Sequence, residues 1–310
     1  MTAGDDGCWL GFDIGASKLL ACAVDGEGRT LAVQKSATGR DDGPDAVLAR
    51  VLALGRAVLG DAGPGGRRPR GVGAGFAGLV DRERGAVRSS IMLPGWDGVP
   101  LAARLQAGLH APASIDNDAT LAGLGEYRHL GSPPGLNMVL LTIGTGIGGA
   151  LILGGRLYRG SRGLAGEIGN TTVDRHGPTC WCGSRGCLNT LASGSAIAAR
   201  AGRADGEATA AAAAGGDAAA RAAIDDGARA LGAGIANLIN LFDPDRVVLA
   251  GGIAGLGEAW LDRVRTEARA RAFAEIAEHV RIEPSARGYD VGAYGAAVFA
   301  QSAATADGRT

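Results

Sequence analysis

Two glycine-rich turns in this chain carry the residue types that bind anions. The first lies in the segment Asp13-Ile-Gly-Ala-Ser-Lys18, and the second is Gly144-Thr-Gly-Ile-Gly-Gly149. Each sits between two short apolar runs that predict β-strands, so residues 12–28 and 141–157 resemble two copies of one hairpin. Glycine lets backbone N–H groups converge on an anion because no Cβ blocks the approach. The pair predicts a phosphate site built from two halves of the chain; the alternative is two ordinary hairpins in a glycine-rich protein.

The first turn also carries side chains suited to a metal-bound phosphate. Asp13 at a strand end could hold hydrated Mg²⁺, Gly15 permits the turn, and Ser17 and Lys18 could donate to phosphate oxygens. The segment is neither the G-x-x-x-x-G-K-[ST] loop nor the G-x-G-x-x-G dinucleotide fingerprint. The missing fingerprint argues against a nicotinamide-dependent dehydrogenase.

The segment Asp116-Asn-Asp118 follows a short apolar strand and begins a predicted helix. Asn and Asp are favoured helix N-caps, because their side chains accept hydrogen bonds from the unpaired N–H groups of the first turn. A carboxylate at this place could instead take the proton of a substrate hydroxyl during phosphoryl transfer. From the residues alone, both interpretations of Asp118 stay open.

Three cysteines lie within eight positions: Cys180, Cys182 and Cys187. This spacing, with glycines between them, predicts a thiolate knuckle for structural zinc, and the alternative is a set of reduced surface cysteines. His176 is the nearest candidate for a fourth ligand.

The surrounding pattern alternates strands and helices. We expect helices at about 45–59, 118–130, 257–279 and 292–303, a long helix from about 224 to before Pro244, and an alanine-rich helical stretch at 196–223 broken at Gly215 and Gly216. Val247–Gly252 predicts a buried strand that ends in a glycine turn.

Composition excludes several classes of protein. The chain has 310 residues, 46% of them hydrophobic, and a net charge of −1, which favours neither nucleic acid nor an anionic membrane as a partner. We expect no signal peptide, because residues 1–7 are polar and acidic, and no membrane span. Five cysteines in a chain this long do not predict a disulfide scaffold, so we expect a cytoplasmic protein.

Taken together, the motifs resemble the ROK family of repressors and sugar kinases. Six of them follow in the family's order: the turn at 13–18, Pro-Gly-Trp at 94–96, Asp-Asn-Asp-Ala at 116–119, the turn at 144–149, Ala-Gly-Glu-Ile-Gly at 165–169 and the cysteines at 180–187. The resemblance implies the actin-like ATPase fold, an α/β architecture of two ribonuclease-H-like lobes with a cleft between them. We expect a small lobe at 1–117 with a returning C-terminal helix at 292–310, and a large lobe at 118–291 that carries the cysteines.

The resemblance also implies site residues and an activity. Asp118 would be the general base on a sugar hydroxymethyl, with Gly78, Asn117 and Glu167 also at the sugar. ATP and Mg²⁺ would be bound by Asp13, Gly15, Ser17, Lys18, Gly144, Thr145, Gly146, Gly148, Gly251 and Gly252. The family's repressors carry an N-terminal helix-turn-helix, for which the turn at Asp13 leaves no room, so we expect an ATP-dependent sugar 6-kinase, and a homodimer by analogy.

Two sugar-contacting positions depart from the family. Asn170 stands where the family usually has a histidine that touches the sugar and binds zinc, and Asn189 stands where it has a glutamate on the sugar. An amide can both donate and accept, so its partners differ from those of a carboxylate. We therefore expect Asn170 and Asn189 to contact a modified hexose, with an amino sugar such as kanosamine favoured over glucose. The alternatives are a plain glucokinase and a non-catalytic sugar-sensing protein of the same family.

Overall fold

The computed structural model describes residues 7–63 and 65–307 and divides the chain into two compact units. Unit 1 comprises Met1–Gly131, Gly160–Leu164 and Asp290–Thr310, and unit 2 comprises Ser132–Arg159 and Ala165–Tyr289. Residues 308–310 of the predicted C-terminal helix lie outside the described part of the chain.

Unit 1 is built on a five-stranded sheet with the strand order β3-β2-β1-β4-β7. Its strands are β1 (Gly7–Ile14), β2 (Lys18–Val24), β3 (Thr30–Ala37), β4 (Arg68–Phe76) and β7 (Ala113–Asn117), and a separate pair is formed by β5 (Leu79–Asp81) and β6 (Ala86–Ser89). Its helices are α1 (Pro44–Asp61), α2 (Leu101–Leu109), α3 (Asp118–His129) and α10 (Val291–Asp307).

Unit 2 is built on a second five-stranded sheet with the order β10-β9-β8-β11-β12. Its strands are β8 (Gly135–Ile143), β9 (Ile147–Gly154), β10 (Arg156–Tyr158), β11 (Arg246–Ala250) and β12 (Arg281–Pro284). Its helices are α4 (Leu188–Ala192), α5 (Gly194–Ala201), α6 (Gly206–Ala214), α7 (Ala218–Phe242), α8 (Glu258–Arg271) and α9 (Ala274–Ala277).

The two sheets have one topology. In each, three consecutive strands pair antiparallel and two later strands extend the sheet in parallel from the first strand. Asp13 and Thr142 are both the second-last residue of the first strand, as the hairpin comparison predicts. The second turn is one residue shorter, since Ile14 pairs with Leu19 whereas Ile143 pairs with Ile147.

Helix α1 shows how the sequence sets its own elements. Pro44 occupies its first turn, where the missing N–H costs no hydrogen bond. Val47, Val51 and Val58 recur at helical spacing and are fully buried in the core of unit 1.

Helix α10 packs against the sheet and helix α3 of unit 1 through small residues. A Cβ at Gly11 of β1 would lie 2.0 Å from the carbonyl oxygen of Ala293, and one at Gly73 of β4 would lie 1.8 Å from that of Ala296. A Cβ at Gly295 would lie 1.8 Å from the carbonyl oxygen of Leu121 in α3. Glycine is thus required where the backbones of the helices and the sheet touch.

The structure differs from the expected organisation in three details. Helix α3, which we expected in the large lobe, is part of unit 1, because it packs against α10; the chain passes to unit 2 only after Gly131. Helix α7 begins at Ala218, six residues before the expected start, because Asp217 caps it through the backbone N–H of Ala220. The region expected as one helix at 257–279 is divided into α8 and α9, because Ala272 and Phe273 are extended.

Within residues 7–63 and 65–307, no helix is both long enough and apolar enough to cross a bilayer.

Candidate active site

Asp118 is the first residue of α3 and directly follows β7. The residue before it caps the helix, since Oδ1 of Asn117 accepts a hydrogen bond from the backbone N–H of Thr120 at 3.0 Å. The sequence left two interpretations of Asp118 open, helix N-cap or general base. The structure assigns the N-cap to Asn117. The Asp118 carboxylate is not needed for it.

Two hydrogen bonds hold the Asp118 carboxylate, and both reach the same oxygen. Its Oδ1 accepts from Nδ2 of Asn117 at 2.9 Å and from the backbone N–H of Ala119 at 2.8 Å. Nδ2 of Asn117 also donates to the carbonyl oxygen of Gly78 at 3.3 Å. The structure thus brings Gly78, Asn117 and Asp118 together, and Asn117 orients the carboxylate with Oδ2 outside both bonds.

Asp13 lies at the same edge of the sheet of unit 1. Asp13 pairs with Gly75 in β4, and Gly75 pairs with Asp116 in β7, so these parallel strands carry both acidic segments to one edge. A Cβ at Gly75 would lie 2.9 Å from Cα of Asp118, and one at Gly292 would lie 2.6 Å from Oδ2 of Asp13. The absence of a side chain at Gly75 and Gly292 therefore lets α3 and α10 begin against the carboxylates.

Gly75 and Gly292 are not among the site residues predicted from the sequence. A signal for Gly75 was present, because Gly71, Gly73 and Gly75 alternate along β4 and so share one face of the sheet. A row of glycines on one face indicates that another backbone approaches it closely. Nothing in the local sequence of Gly292 identifies its neighbour.

Asp116 has a different role from Asp118. Its side chain is buried, and Oδ2 accepts from Nε of Arg82 at 3.1 Å, while Oδ1 accepts from the backbone N–H of Asn117 at 2.9 Å. The guanidinium of Arg82 lies 5.6 Å from the centre of the Phe299 ring. This ion pair holds the end of β7 and the start of α3 in place.

The two facing carboxyls of unit 1 resist ionisation. Desolvation, and then repulsion from Asp118, raises the pKa of Asp13 to about 7. Desolvation also raises the pKa of Asp118, against the opposing effect of its hydrogen bonds from Ala119 and Asn117. A pair of carboxylates that repel each other at neutral pH is suited to a divalent cation, which would relieve the repulsion.

The raised pKa of Asp13 predicts a pH-dependent loss of stability. A carboxyl whose pKa is higher in the folded state stabilises the fold below its ordinary value of 3.8, and that contribution is lost as the pH rises through about 7. We expect Asp13→Asn to be more stable than the unsubstituted protein at pH 8.5 in EDTA, and the difference to shrink at pH 5.5. Urea denaturation at both pH values measures this, and a difference independent of pH would contradict it.

The first glycine turn joins β1 to β2 with its polar side chains outward. The N–H of Gly15 donates to the carbonyl oxygen of Lys18 at 3.1 Å, and its own carbonyl accepts from the hydroxyl of Thr38 at 2.7 Å. Ser17 and Lys18 are exposed. The turn is therefore closed by its own backbone and presents a hydroxyl and an ammonium beside Asp13.

The second glycine turn lies in unit 2, between β8 and β9. The N–H of Gly144 donates to the carbonyl oxygen of Gly146 at 2.9 Å, and the carbonyl of Gly144 accepts from the N–H of Gly194 at the start of α5 at 2.7 Å. Gly144, Thr145, Gly146 and Gly148 are half-buried. The turn thus combines a fixed backbone with access for a ligand.

Gly251 and Gly252 follow β11 at the same edge of the second sheet. Gly251 has φ +94°, and a Cβ there would lie 2.4 Å from the carbonyl oxygen of Ile143, at the end of β8. Open space surrounds the Cβ position of Gly252. The structure therefore places this glycine pair beside the second turn.

A chain of side-chain amides connects three predicted sugar contacts in unit 2. Nδ2 of Asn170 donates to Oε2 of Glu167 at 3.1 Å, and Oδ1 of Asn170 accepts from Nδ2 of Asn189 at 2.9 Å. Oδ1 of Asn189 in turn accepts from the backbone N–H of Ile147 at 2.6 Å. Glu167 is exposed, whereas Asn170 and Asn189 are half-buried.

The three cysteines of unit 2 form one cluster. The sulfur atoms of Cys180, Cys182 and Cys187 all lie within 4.8 Å of one another, and Sγ of Cys187 lies 3.4 Å from the carbonyl oxygen of Asn170. Gly186, with φ +61°, lets the knuckle fold against Asp174, because any Cβ there would overlap the Asp174 carbonyl.

The ionisation of two of these thiols is shifted in opposite directions. A hydrogen bond from the backbone of Ser184 lowers the pKa of the exposed Cys182 thiol, while desolvation raises the pKa of Cys187 to about 12. A cation at the cluster would favour the thiolate forms of all three.

His176 does not join this cluster. Its Nε2 accepts a hydrogen bond from Nε of Arg175 at 2.8 Å, its backbone N–H donates to Asp174, and the residue is exposed. In the described part of the chain the group of candidate metal ligands consists of the three thiols alone. The expected fourth ligand is therefore held elsewhere by its neighbours.

Comparison with known proteins identifies the family of this chain. A sequence model of the ROK family matches residues 9–303. A glucokinase of Streptomyces coelicolor is 35% identical over 281 residues, which are 84% of this chain and 86% of that enzyme. An N-acetylmannosamine kinase of Vibrio cholerae is 37% identical over 207 residues, which are 64% of this chain and 69% of that enzyme.

A solved structure extends the agreement to the fold. The crystal structure of a ROK family glucokinase from Streptomyces griseus, in complex with glucose and AMPPNP, has a TM-score of 0.84 to this chain and 31% sequence identity, and covers 95% of this chain and 99% of its own. The resemblance found in the motifs and the actin-like fold of two ribonuclease-H-like lobes are thereby confirmed. The chain belongs to the ROK family.

Proposed function

We propose that this protein transfers the γ-phosphoryl group of ATP to the 6-hydroxymethyl group of a hexose or modified hexose. It is an ATP-dependent sugar kinase, as are the glucokinase relatives whose sequences it resembles over most of their length. The observation that carries the proposal is the Asp118 carboxylate, which Asn117 and Ala119 hold by one oxygen at the start of α3.

Asp118 would act as the general base. The hydroxymethyl oxygen attacks the γ-phosphorus, the bond from that phosphorus to the bridging oxygen of ADP breaks, and the hydroxyl proton passes to Oδ2 of Asp118. The raised pKa of Asp118 brings this carboxyl closer to neutral pH, where a base accepts a proton effectively. The electron pair of the broken bond stays on the oxygen of ADP, which leaves with the negative charge.

The other predicted residues would bind and orient the two substrates. Asp13 would hold Mg²⁺, which supplies charge neutralisation at the phosphates, and Ser17 and Lys18 would donate to phosphate oxygens. In unit 2 the turn at Gly144 and the glycines at 251 and 252 would hold ATP through backbone groups. Gly78, Asn117 and Glu167 would orient the sugar, so most of the acceleration comes from position and charge.

Within this activity we propose an amino sugar such as kanosamine as the preferred substrate. The support is the amide pair Asn170 and Asn189, which replaces the imidazole and carboxylate usual in the family. A site built around different donors and acceptors discriminates strongly, because a mismatched sugar leaves buried polar groups unpaired. The second candidate is a plain glucokinase, which the glucokinase relatives at 31% and 35% identity favour.

Release of ADP from ATP·Mg²⁺ over a panel of sugars tests both levels of the proposal. The panel contains glucose, mannose, glucosamine, kanosamine, N-acetylated hexosamines and C7-cyclitols. A preference for an amino sugar, measured as kcat/KM, supports the specific proposal, and a preference for glucose replaces it with the second candidate. No turnover with any sugar, together with sugar binding by calorimetry, would indicate a non-catalytic sugar sensor.

We also propose that Cys180, Cys182 and Cys187 hold a structural zinc ion as three thiolates, with the fourth position filled by water rather than His176. The spacing of the sulfur atoms fits one tetrahedral ion. We expect about one zinc per chain in the purified protein and in His176→Ala, but well under one in Cys182→Ala. Metal analysis measures this, and loss of zinc from His176→Ala would restore the histidine as the fourth ligand.

The homodimer implied by the resemblance stays a prediction. Light scattering after size-exclusion chromatography measures the molar mass in solution and tests this prediction.

A further inference from the structure

Asn189 lies where a direct sugar contact was expected, but its side chain is already engaged on both sides. It is the second residue of α4, and its Oδ1 accepts from the N–H of Ile147 at 2.6 Å. A Cβ at Gly169 would lie 2.6 Å from Nδ2 of Asn189, and one at Gly146 would lie 3.4 Å from its Oδ1. The amide is therefore enclosed by two glycines and held against the second phosphate turn.

The hydrogen bonds run in one direction from that turn to Glu167. The N–H of Ile147 donates to Asn189, Nδ2 of Asn189 donates to Oδ1 of Asn170 at 2.9 Å, and Nδ2 of Asn170 donates to Oε2 of Glu167 at 3.1 Å. Each amide accepts with its oxygen and donates with its nitrogen. Such a chain needs a donor and an acceptor in the same side chain at positions 170 and 189.

A carboxylate at position 189 cannot replace the amide alone. It could accept from Ile147, but it has no hydrogen for Oδ1 of Asn170. If the Asn170 amide flipped so that its nitrogen donated to that carboxylate, its oxygen would face Oε2 of Glu167. Two acceptors would then face each other at Glu167 instead of at position 189. Position 189 therefore needs an amide as long as position 170 carries one.

We propose that Asn189 is a positioning residue that joins the sugar-binding carboxylate of Glu167 to the nucleotide-binding turn at Gly144–Gly146, through Asn170. The inference rests on the proposed function for the roles of Glu167 and the turn. Sugar that binds Glu167 fixes one end of the chain of amides, and nucleotide at the turn fixes the other. Each bound substrate therefore orders part of the chain of amides in advance, so the second substrate costs less conformational entropy on binding. Binding of the two substrates is cooperative for this reason.

The substitution Asn189→Asp separates the two ends of the chain. The shape is kept and an oxygen still accepts from Ile147, but the donor to Asn170 is lost. We expect the KM of the sugar to rise about tenfold, as for a lost hydrogen bond to a charged network, while the Kd of ATP measured without sugar stays within about twofold. Asn189→Leu, which loses both bonds, is expected to raise both constants. Thr190→Ser, on the same helix, is the matched control.

A double-mutant cycle tests whether the two amides act as one chain. Asn170→Leu and Asn189→Asp are each expected to lose sugar affinity, and the double substitution is expected to lose no more than about the larger single loss, because either change breaks the chain. Purely additive losses would overturn the proposal, as would an Asn189→Asp variant with an unchanged sugar KM. Thermal denaturation of every variant shows whether it is folded. If the Asn189 variants do not fold, Asn170→Asp, which disturbs only the bond to Glu167, replaces them as the test.

Calorimetry separates this inference from the proposed function. Binding of AMPPNP is measured with and without the sugar that binds tightest, which needs no turnover. We expect the sugar to tighten AMPPNP binding at least fivefold in the unsubstituted protein and less than twofold in Asn189→Asp. Equal coupling in both proteins rejects the positioning role, whereas coupling without any phosphorylation rejects only the kinase.

Discussion

Replacing Asp118 with asparagine is expected to lower kcat by about 10³-fold or more, because a general base contributes rate enhancements of about 10² to 10⁴ and the amide cannot accept the proton. The change keeps the size of the side chain, and its Oδ1 can still accept from Asn117 and Ala119. Since the phosphate-binding residues are untouched, the Kd of ATP·Mg²⁺ should change by less than about twofold.

Steady-state kinetics and calorimetry on one preparation measure the two quantities. Asp226→Asn is a suitable control, because Asp226 is an exposed carboxylate on α7 whose partner is Arg229. A variant at position 118 with near-normal turnover would show that another group takes the proton. Loss of ATP binding along with turnover would instead place Asp118 on the nucleotide.

The second large effect concerns stability. Gly295→Ala is expected to lower the free energy of unfolding by about 2–3 kcal/mol, because overpacking of a tight interface forces backbone shifts of that cost. The added Cβ would lie 1.8 Å from the carbonyl oxygen of Leu121 and 2.9 Å from the backbone nitrogen of Gly125, neither of which belongs to a flexible side chain. Helix α10 must therefore move away from α3.

The matched control is Gly60→Ala in α1. Gly60 is also inside a helix, but nothing lies within 4 Å of its Cβ position. Alanine there should be neutral or stabilising by up to about 1 kcal/mol, because alanine favours helix more than glycine does. Urea denaturation of both variants gives the comparison, and equal stability of the two would show that α10 is not packed as described.

The substitution Gly295→Ala is also expected to affect the carboxylates of unit 1. Helix α10 begins at Val291, and Gly292 in its first turn lies against Asp13. A displacement of α10 at Gly295 should therefore also disturb Asp13, and kcat should fall in the fraction of Gly295→Ala that remains folded.

Much of the site could be predicted from the amino-acid sequence alone. The two glycine turns, the helix that begins at Asp118 and the cysteine cluster all depend on residues close together in the chain. Local turn geometry and hydrogen-bond capacity determine such features, so residue type and spacing are sufficient to find them. The order of the motifs also identified the family, because the family's site residues occur as these local segments.

The tertiary structure decided which atoms these segments meet. That Asn117 rather than Asp118 caps α3, that Gly292 touches Asp13 and that Asn189 reaches the N–H of Ile147 across 42 positions all depend on packing between distant parts of the chain. His176 is near the cysteines in sequence, yet its imidazole is bonded to Arg175. Spacing along the chain determines local turns and caps, whereas the partner of a side chain is determined by which elements share a face, and that follows only from the folded sheets and helices.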